Sequence, residues 1–140
     1  MGCYNTTVVK APLDQVWKAL RDFHDLSWAV GVIENTEIVG EVPADQVGAK
    51  RVLNGAFHET LLSLDDERYS LQYQITDGPG PLSKEKVQSY IGQVRISPVT
   101  DEDFTFVEWT STWESSEGGV AEFCNPVYGA LLGALKASFG

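Results

Sequence analysis

Polar and apolar side chains alternate along most of the chain, and at two places the alternation gives way to helical spacing. Tyr4 to Lys10 (YNTTVVK) is a short run rich in β-branched residues, and Pro12 just after it suits the first turn of a helix. A strand therefore hands over to a helix. From Val16 the apolar residues Ala19, Leu20 and Phe23 keep the i, i+3, i+4, i+7 spacing of an amphipathic helix, with Trp17 widening the stripe. Phe23 to Val32 (FHDLSWAVGV) keeps its apolar content around Asp25, Ser27 and Gly31; it reads as a second short helix, with an ordered loop as the alternative.

From Glu34 to Trp113 the pattern is one of strands divided by turn signals. Six successive strands are expected: Glu34–Glu41, Gly48–Asn54, Phe57–Leu64, Arg68–Thr76, Val87–Pro98 and Phe104–Glu114. Short links between them imply antiparallel pairing. Asn54-Gly55 is the sharpest signal, because both residues tolerate the positive φ angles of a tight hairpin. Arg51 and Glu59 then lie on neighbouring strands. The sequence DGPGPL from Asp77 to Leu82 cannot extend a ladder, since Pro79 and Pro81 lack donors, and it forms a long loop. Val120, Phe123, Cys124, Val127, Tyr128, Leu131, Leu132 and Leu135 then mark a long helix packed on the sheet, which either kinks or begins at Pro126. No repeat or linker interrupts the chain, so residues 1–140 read as one domain.

Sorting each strand by face isolates the informative exceptions. Tyr69, Leu71, Tyr73 and Ile75 share one phase; so do Tyr90, Gly92, Val94 and Ile96; so do Val107, Trp109, Ser111 and Trp113. In the two strands around the hairpin, Ala49, Arg51 and Leu53 share a phase, as do Phe57, Glu59 and Leu61. Each of these strands sets one charge among apolar neighbours. An isolated buried charge costs on the order of several kcal/mol, so an inward Arg51 and Glu59 need each other, bound water or a ligand. Two plainer readings stand beside this one: a register slip by one residue that puts both charges in solvent, or a structural ion pair with no chemistry. A sheet wrapped round one helix does not close completely with side chains, and Trp28, Phe57, Tyr73, Tyr90, Trp109, Trp113, Tyr128 and Leu131 are the candidate cavity walls. Core packing alone is the competing role for each aromatic.

Composition removes several classes of function. Twenty Asp and Glu against ten Lys and Arg give a net charge of -10, the wrong sign for phosphate backbones or anionic membranes, so nucleic acid and membrane insertion are not expected. Cys3 and Cys124 are too few for a disulfide framework, and the first ten residues lack the apolar run of a signal peptide; a cytoplasmic setting is expected. His24 and His58 are too few and too scattered for a metal site, and Gly118-Gly119 lacks a P-loop lysine, so no metal and no cofactor are expected.

The segments APLDQVWKALRDF, GAKRVLNG, HETLLSLDDERYSLQYQI and VEWTSTWE, in this order, resemble the START-like, Bet v 1-like (SRPBCC) superfamily, and within it the polyketide cyclase/dehydratase-like branch near lachrymatory factor synthase and the abscisic acid receptors. The resemblance spans essentially the whole chain. It implies an α+β helix-grip fold: a curved antiparallel sheet of about seven strands wrapped around a long C-terminal helix, with two short helices after the first strand. In that branch an Arg before the hairpin and a Glu after it face the ligand cavity, and Arg51 and Glu59 match them. The receptors' ligand-holding Lys has no counterpart in SWAVGVIE, and the link Asn54-Gly55-Ala56 is too short for their gate, which argues against a hormone receptor.

The leading expectation is binding of a small hydrophobic or amphipathic molecule between sheet and C-terminal helix. The alternative is a cofactor-independent cyclase, dehydratase or isomerase, with Glu59 as proton shuttle and Arg51 stabilising a developing anion. A third class, an interaction module, would present a broad exposed groove instead of a pocket.

Overall fold

The computed structural model describes residues 2–115 and 118–140. All six strands read from alternation form, and the N-terminal strand joins them in one antiparallel sheet. They are β1 (Gly2–Val9), β2 (Thr36–Val39), β3 (Lys50–Leu53), β4 (Phe57–Asp65), β5 (Ser70–Asp77), β6 (Val87–Pro98) and β7 (Thr105–Ser115), ordered β1-β7-β6-β5-β4-β3-β2 across the sheet. Helix α1 (Leu13–Leu20) follows β1, and α2 (Val120–Ser138) ends the chain. The fold is the α+β helix-grip arrangement, with one short helix instead of two.

The alternation decides which face packs. Tyr90, Gly92, Val94 and Ile96 of β6 are all buried, as are Val107, Trp109, Ser111 and Trp113 of β7. They meet the apolar stripe of α2, in which Val120, Cys124, Tyr128, Leu131, Leu132 and Leu135 are buried. The β3–β4 hairpin turns as its residues require, with Asn54 at φ 54° and Gly55 at φ 65°. The Asn5 amide of β1 donates to Asn125 of α2 at 3.0 Å, which ties the first strand to the last helix.

One expectation is corrected. The stretch after α1 forms successive turns and no second helix: the Asp22 carboxylate accepts the His24 N–H at 3.0 Å, and Asp25 accepts that of Ser27 at 2.9 Å. These side chains take the backbone donors that a helix would use for itself. Strand β5 starts at Ser70, after Tyr69 at φ 54°, whose carbonyl accepts the Ile96 N–H of β6 at 3.0 Å. Helix α2 starts at Val120, after Gly119 at φ 94°, and continues through Pro126, which lies on its exposed side. The loop after β5 contains a single 3-10 turn, Gly80–Leu82, held where the Asp77 carboxylate accepts the N–H groups of Gly78 and Lys84 at 3.0 Å each. Among the described residues, no helix is long and apolar enough to cross a membrane.

Candidate functional site

The hairpin register sets Arg51 directly opposite Glu59 on the inner face of the sheet. Both are 6% exposed. Arg51 Nε donates to Glu59 Oε1 at 2.8 Å, and Nη2 lies 2.6 Å from the same oxygen. Its third nitrogen, Nη1, donates to the backbone carbonyl of Phe23 at 3.0 Å. The guanidinium carbon sits 3.8 Å from the centroid of the Phe23 ring and 5.6 Å from that of Tyr73. Arg51 thus joins β3 to the loop after α1 through charge, hydrogen bond and ring face together. No described residue bonds the second carboxylate oxygen, Oε2, of Glu59. Burial raises the Glu59 pKa above its ordinary value, and the Arg51 charge and hydrogen bonds oppose that rise.

The pair opens onto a cavity of about 40 Å³. Its walls come from every layer: Leu26 and Ile33 from the loop after α1, Leu53 and Phe57 from the hairpin, Tyr73, Ile75, Tyr90 and Trp109 from the sheet, Leu82 from the 3-10 turn, and Cys124, Val127, Tyr128 and Leu131 from α2. Such a volume holds a few water molecules. Ile33, Phe57 and Val127 also line a surface depression of about 350 Å³, with Gly31, Val32, Asn54, Pro126 and Ala130 around it. The depression therefore abuts the cavity at those three side chains.

Away from Arg51 the cavity has a second group of polar atoms. The Tyr90 and Tyr128 hydroxyls hydrogen-bond to each other, and Tyr90 Oη also donates to Cys124 Sγ at 3.4 Å. Trp109 Nε1 donates to Tyr73 Oη at 2.9 Å. Burial pushes all three tyrosines well above their ordinary pKa and the Cys124 thiol up to about 11, so each stays protonated at neutral pH. Tyr90 keeps the inward phase of Gly92, Val94 and Ile96, and beside it a bulge between Gln88 and Ile91, where Ser89 takes φ 55°, interrupts the pairing with β7. The Tyr73 ring occupies the space over Gly92, where any Cβ would collide with it.

Six of the eight expected wall residues line the cavity: Phe57, Tyr73, Tyr90, Trp109, Tyr128 and Leu131. Trp28 does not; it lines a separate void of about 10 Å³ behind Arg51. Trp113 does not either, because it stacks behind Tyr90 with ring centroids 5.6 Å apart and planes within 7°. Among the missed residues, Leu53 and Ile75 lie two places from Arg51 and Tyr73 in the same strand phase, and Cys124 and Val127 share the stripe of Tyr128 and Leu131, so periodicity held the signal. Leu26, Ile33 and Leu82 sit in loops, where no period exists. No group of three or more His, Cys, Asp or Glu among the described residues is arranged to hold a metal ion.

Comparison with known proteins places this geometry in a family context. The family described as "Polyketide cyclase / dehydrase and lipid transport" matches residues 3–140. A protein of Nitrosospira multiformis is similar at 40% identity and a TM-score of 0.97, covering 100% of this chain and 97% of its own. A protein of Thermobifida fusca, 22% identical, has a TM-score of 0.84 over 99% of this chain and 93% of its own. One of Bacillus thuringiensis, 19% identical, has a TM-score of 0.80 over 99% and 98%. These last two share the fold. A search of curated proteins finds no match.

Proposed function

The chain belongs to the polyketide cyclase / dehydrase and lipid transport family, and from that premise we propose that it binds a small, largely apolar ligand in the cavity between sheet and α2, with Arg51 and Glu59 as the polar anchor. The observation that carries the reading is the buried pair itself: two opposite charges, 6% exposed each, border an apolar space with one carboxylate oxygen left over. A purely structural pair gains nothing from that adjacency, whereas ligand sites are apolar pockets with a few placed polar groups. At about 40 Å³ the cavity is smaller than ordinary ligand pockets, so this reading requires it to open. Entry requires Ile33, Phe57 and Val127 to part, which merges it with the depression of about 350 Å³ outside and approaches the size of ordinary ligand pockets. Two buried free thiols, Cys3 and Cys124, support a cytoplasmic setting for this work.

A second reading, catalysis of a cyclisation, dehydration or isomerisation, is favoured by one further observation. Glu59 combines a pKa raised by burial with a free Oε2, the properties of a proton shuttle, and in this reading Arg51 exchanges part of its contact with Glu59 for an enolate or similar anion. Native mass spectrometry of the purified protein tests binding through a co-purifying small molecule, and Arg51→Leu should release it. A molecule retained equally by wild type and Arg51→Leu counts against the anchor. Turnover lost in Glu59→Gln while affinity is kept would favour the enzyme over the carrier.

A further inference from the structure

Resting on the binding reading above, we propose that the ligand carries two oxygen functions: an anionic or enolisable group held at Arg51 and Glu59, and a neutral hydroxyl or carbonyl held by the Tyr90–Tyr128 hydroxyl pair. The register sets the spacing. Glu59 pairs with Ile75, and Ile75 with Tyr90, so the two polar groups stand on one row of the sheet with a single apolar residue between them. Adjacent strands lie about 4.8 Å apart, which separates the two backbones by about 10 Å before the side chains converge. The ligand therefore carries a short apolar spacer between its two oxygen functions.

The hydroxyls are not explained by packing. Trp113 stacks on the Tyr90 ring and Trp109 lies 5.8 Å from the Tyr128 ring, contacts that phenylalanine would make equally well. Nor are the hydroxyls well satisfied. One proton is used between the two oxygens, and the Tyr90 bond to Cys124 ends on sulfur at 3.4 Å, a weak acceptor. Ser111 Oγ, buried beside both tyrosines and Cys3, has no hydrogen-bond partner among the described residues that meets the geometric criteria of a hydrogen bond. The Tyr90 and Tyr128 hydroxyls therefore meet Ser111 between β6, β7 and α2, where two tyrosines that line the cavity have a thiol as their outlet, and a ligand oxygen is the better acceptor.

Titration of 15N-labelled protein with sodium benzoate, sodium 4-hydroxybenzoate and phenol, followed by amide shifts, tests the assignment. Wild type should bind 4-hydroxybenzoate about tenfold more tightly than benzoate, the value of one hydrogen bond at a buried site. Tyr128→Phe and, independently, Tyr90→Phe should bring the affinities of the two acids to within about twofold of each other. Arg51→Leu should weaken both acids by a larger factor than phenol. Equal affinity of wild type for the two acids, or a preference that survives both tyrosine substitutions, overturns the inference alone. If none of the three compounds shifts a cavity resonance of the wild type, the binding reading fails and takes this inference with it.

Discussion

Arg51→Leu leaves a carboxylate without its partner, and the size of the resulting defect depends on pH in a way that can be worked out. Arg51 gives Glu59 Oε1 two contacts, at 2.8 and 2.6 Å, and gives the Phe23 carbonyl one at 3.0 Å. Removing one partner of a buried ion pair costs about 3–5 kcal/mol. Glu59 escapes part of that by taking up a proton, at about 1.4 kcal/mol for each pH unit above the ordinary value. Measured from 4.5, this limits the charge penalty to about 3 kcal/mol at pH 7 and below about 1 kcal/mol at pH 5. The stranded Phe23 carbonyl adds about 1 kcal/mol at either pH. The sign follows from linkage: with its cation gone, folded Glu59 keeps a proton that the unfolded chain sheds above 4.5, so stability is lost as pH rises and regained as it falls. Urea unfolding followed by far-UV circular dichroism, at pH 5 and pH 7, reads both numbers from the midpoints at constant m. Replacing both residues, Arg51→Leu with Glu59→Leu, should recover most of the loss and remove its pH dependence, because a buried pair exchanged for apolar side chains is often neutral. A single variant that loses equal stability at both pH values, or a double variant no better than the single, would refute the reasoning.

Three other substitutions probe separate parts of the argument. Gly92→Ala places a methyl group inside the Tyr73 ring position and should cost about 1–3 kcal/mol with a changed tryptophan emission, since Trp109 Nε1 loses its acceptor; an unperturbed spectrum would mean that the ring is not held there. Pro126→Ala restores a donor inside α2 on an exposed position and should raise the thermal midpoint, by up to about 3 kcal/mol of stability; a lower midpoint would show that the proline fits its surroundings better than alanine does. Asp66→Asn weakens the bonds from Trp17 Nε1 at 2.7 Å and Arg21 Nε at 2.9 Å and should cost about 1 kcal/mol at neutral pH. Both partners hold its pKa below 3.8, so stability present above that value is lost as pH falls through the lowered pKa, and the difference between the two proteins should close in acid unfolding curves; a gap that persists below pH 3 would assign the bonds to the neutral side chain.

The sheet was legible because its face assignments rest on a period of two, which survives errors in strand ends. Val87–Pro98 appears with both ends as read, and the positive φ of Asn54 and Gly55 fixes the register that faces Arg51 with Glu59. Once that register holds, the inward charges follow. What alternation does not encode is side-chain competition for backbone donors, and Asp22 and Asp25 unravelled the expected second helix by that route. Nor does it encode depth. Trp113 and Tyr90 share the inner face, yet their stacking puts one between the other and the cavity. Trp28 is likewise set off from the cavity: it lines a smaller void that shares Leu26, Arg51, Tyr73 and Trp109 with the larger one.

Gly92, Tyr73 and Trp109 behave as a single unit of volume and hydrogen bonding. The glycine's missing side chain is filled by the tyrosine ring, and the tyrosine oxygen in turn receives the indole proton. A methyl group gained at position 92 demands a smaller side chain at 73, and the smaller side chain strands a buried N–H at 109. Change in this part of the cavity therefore has to arrive at three positions together. Relatives that reshape the wall should pass through sequences in which all three have moved, and the route to a different ligand there is a narrow one.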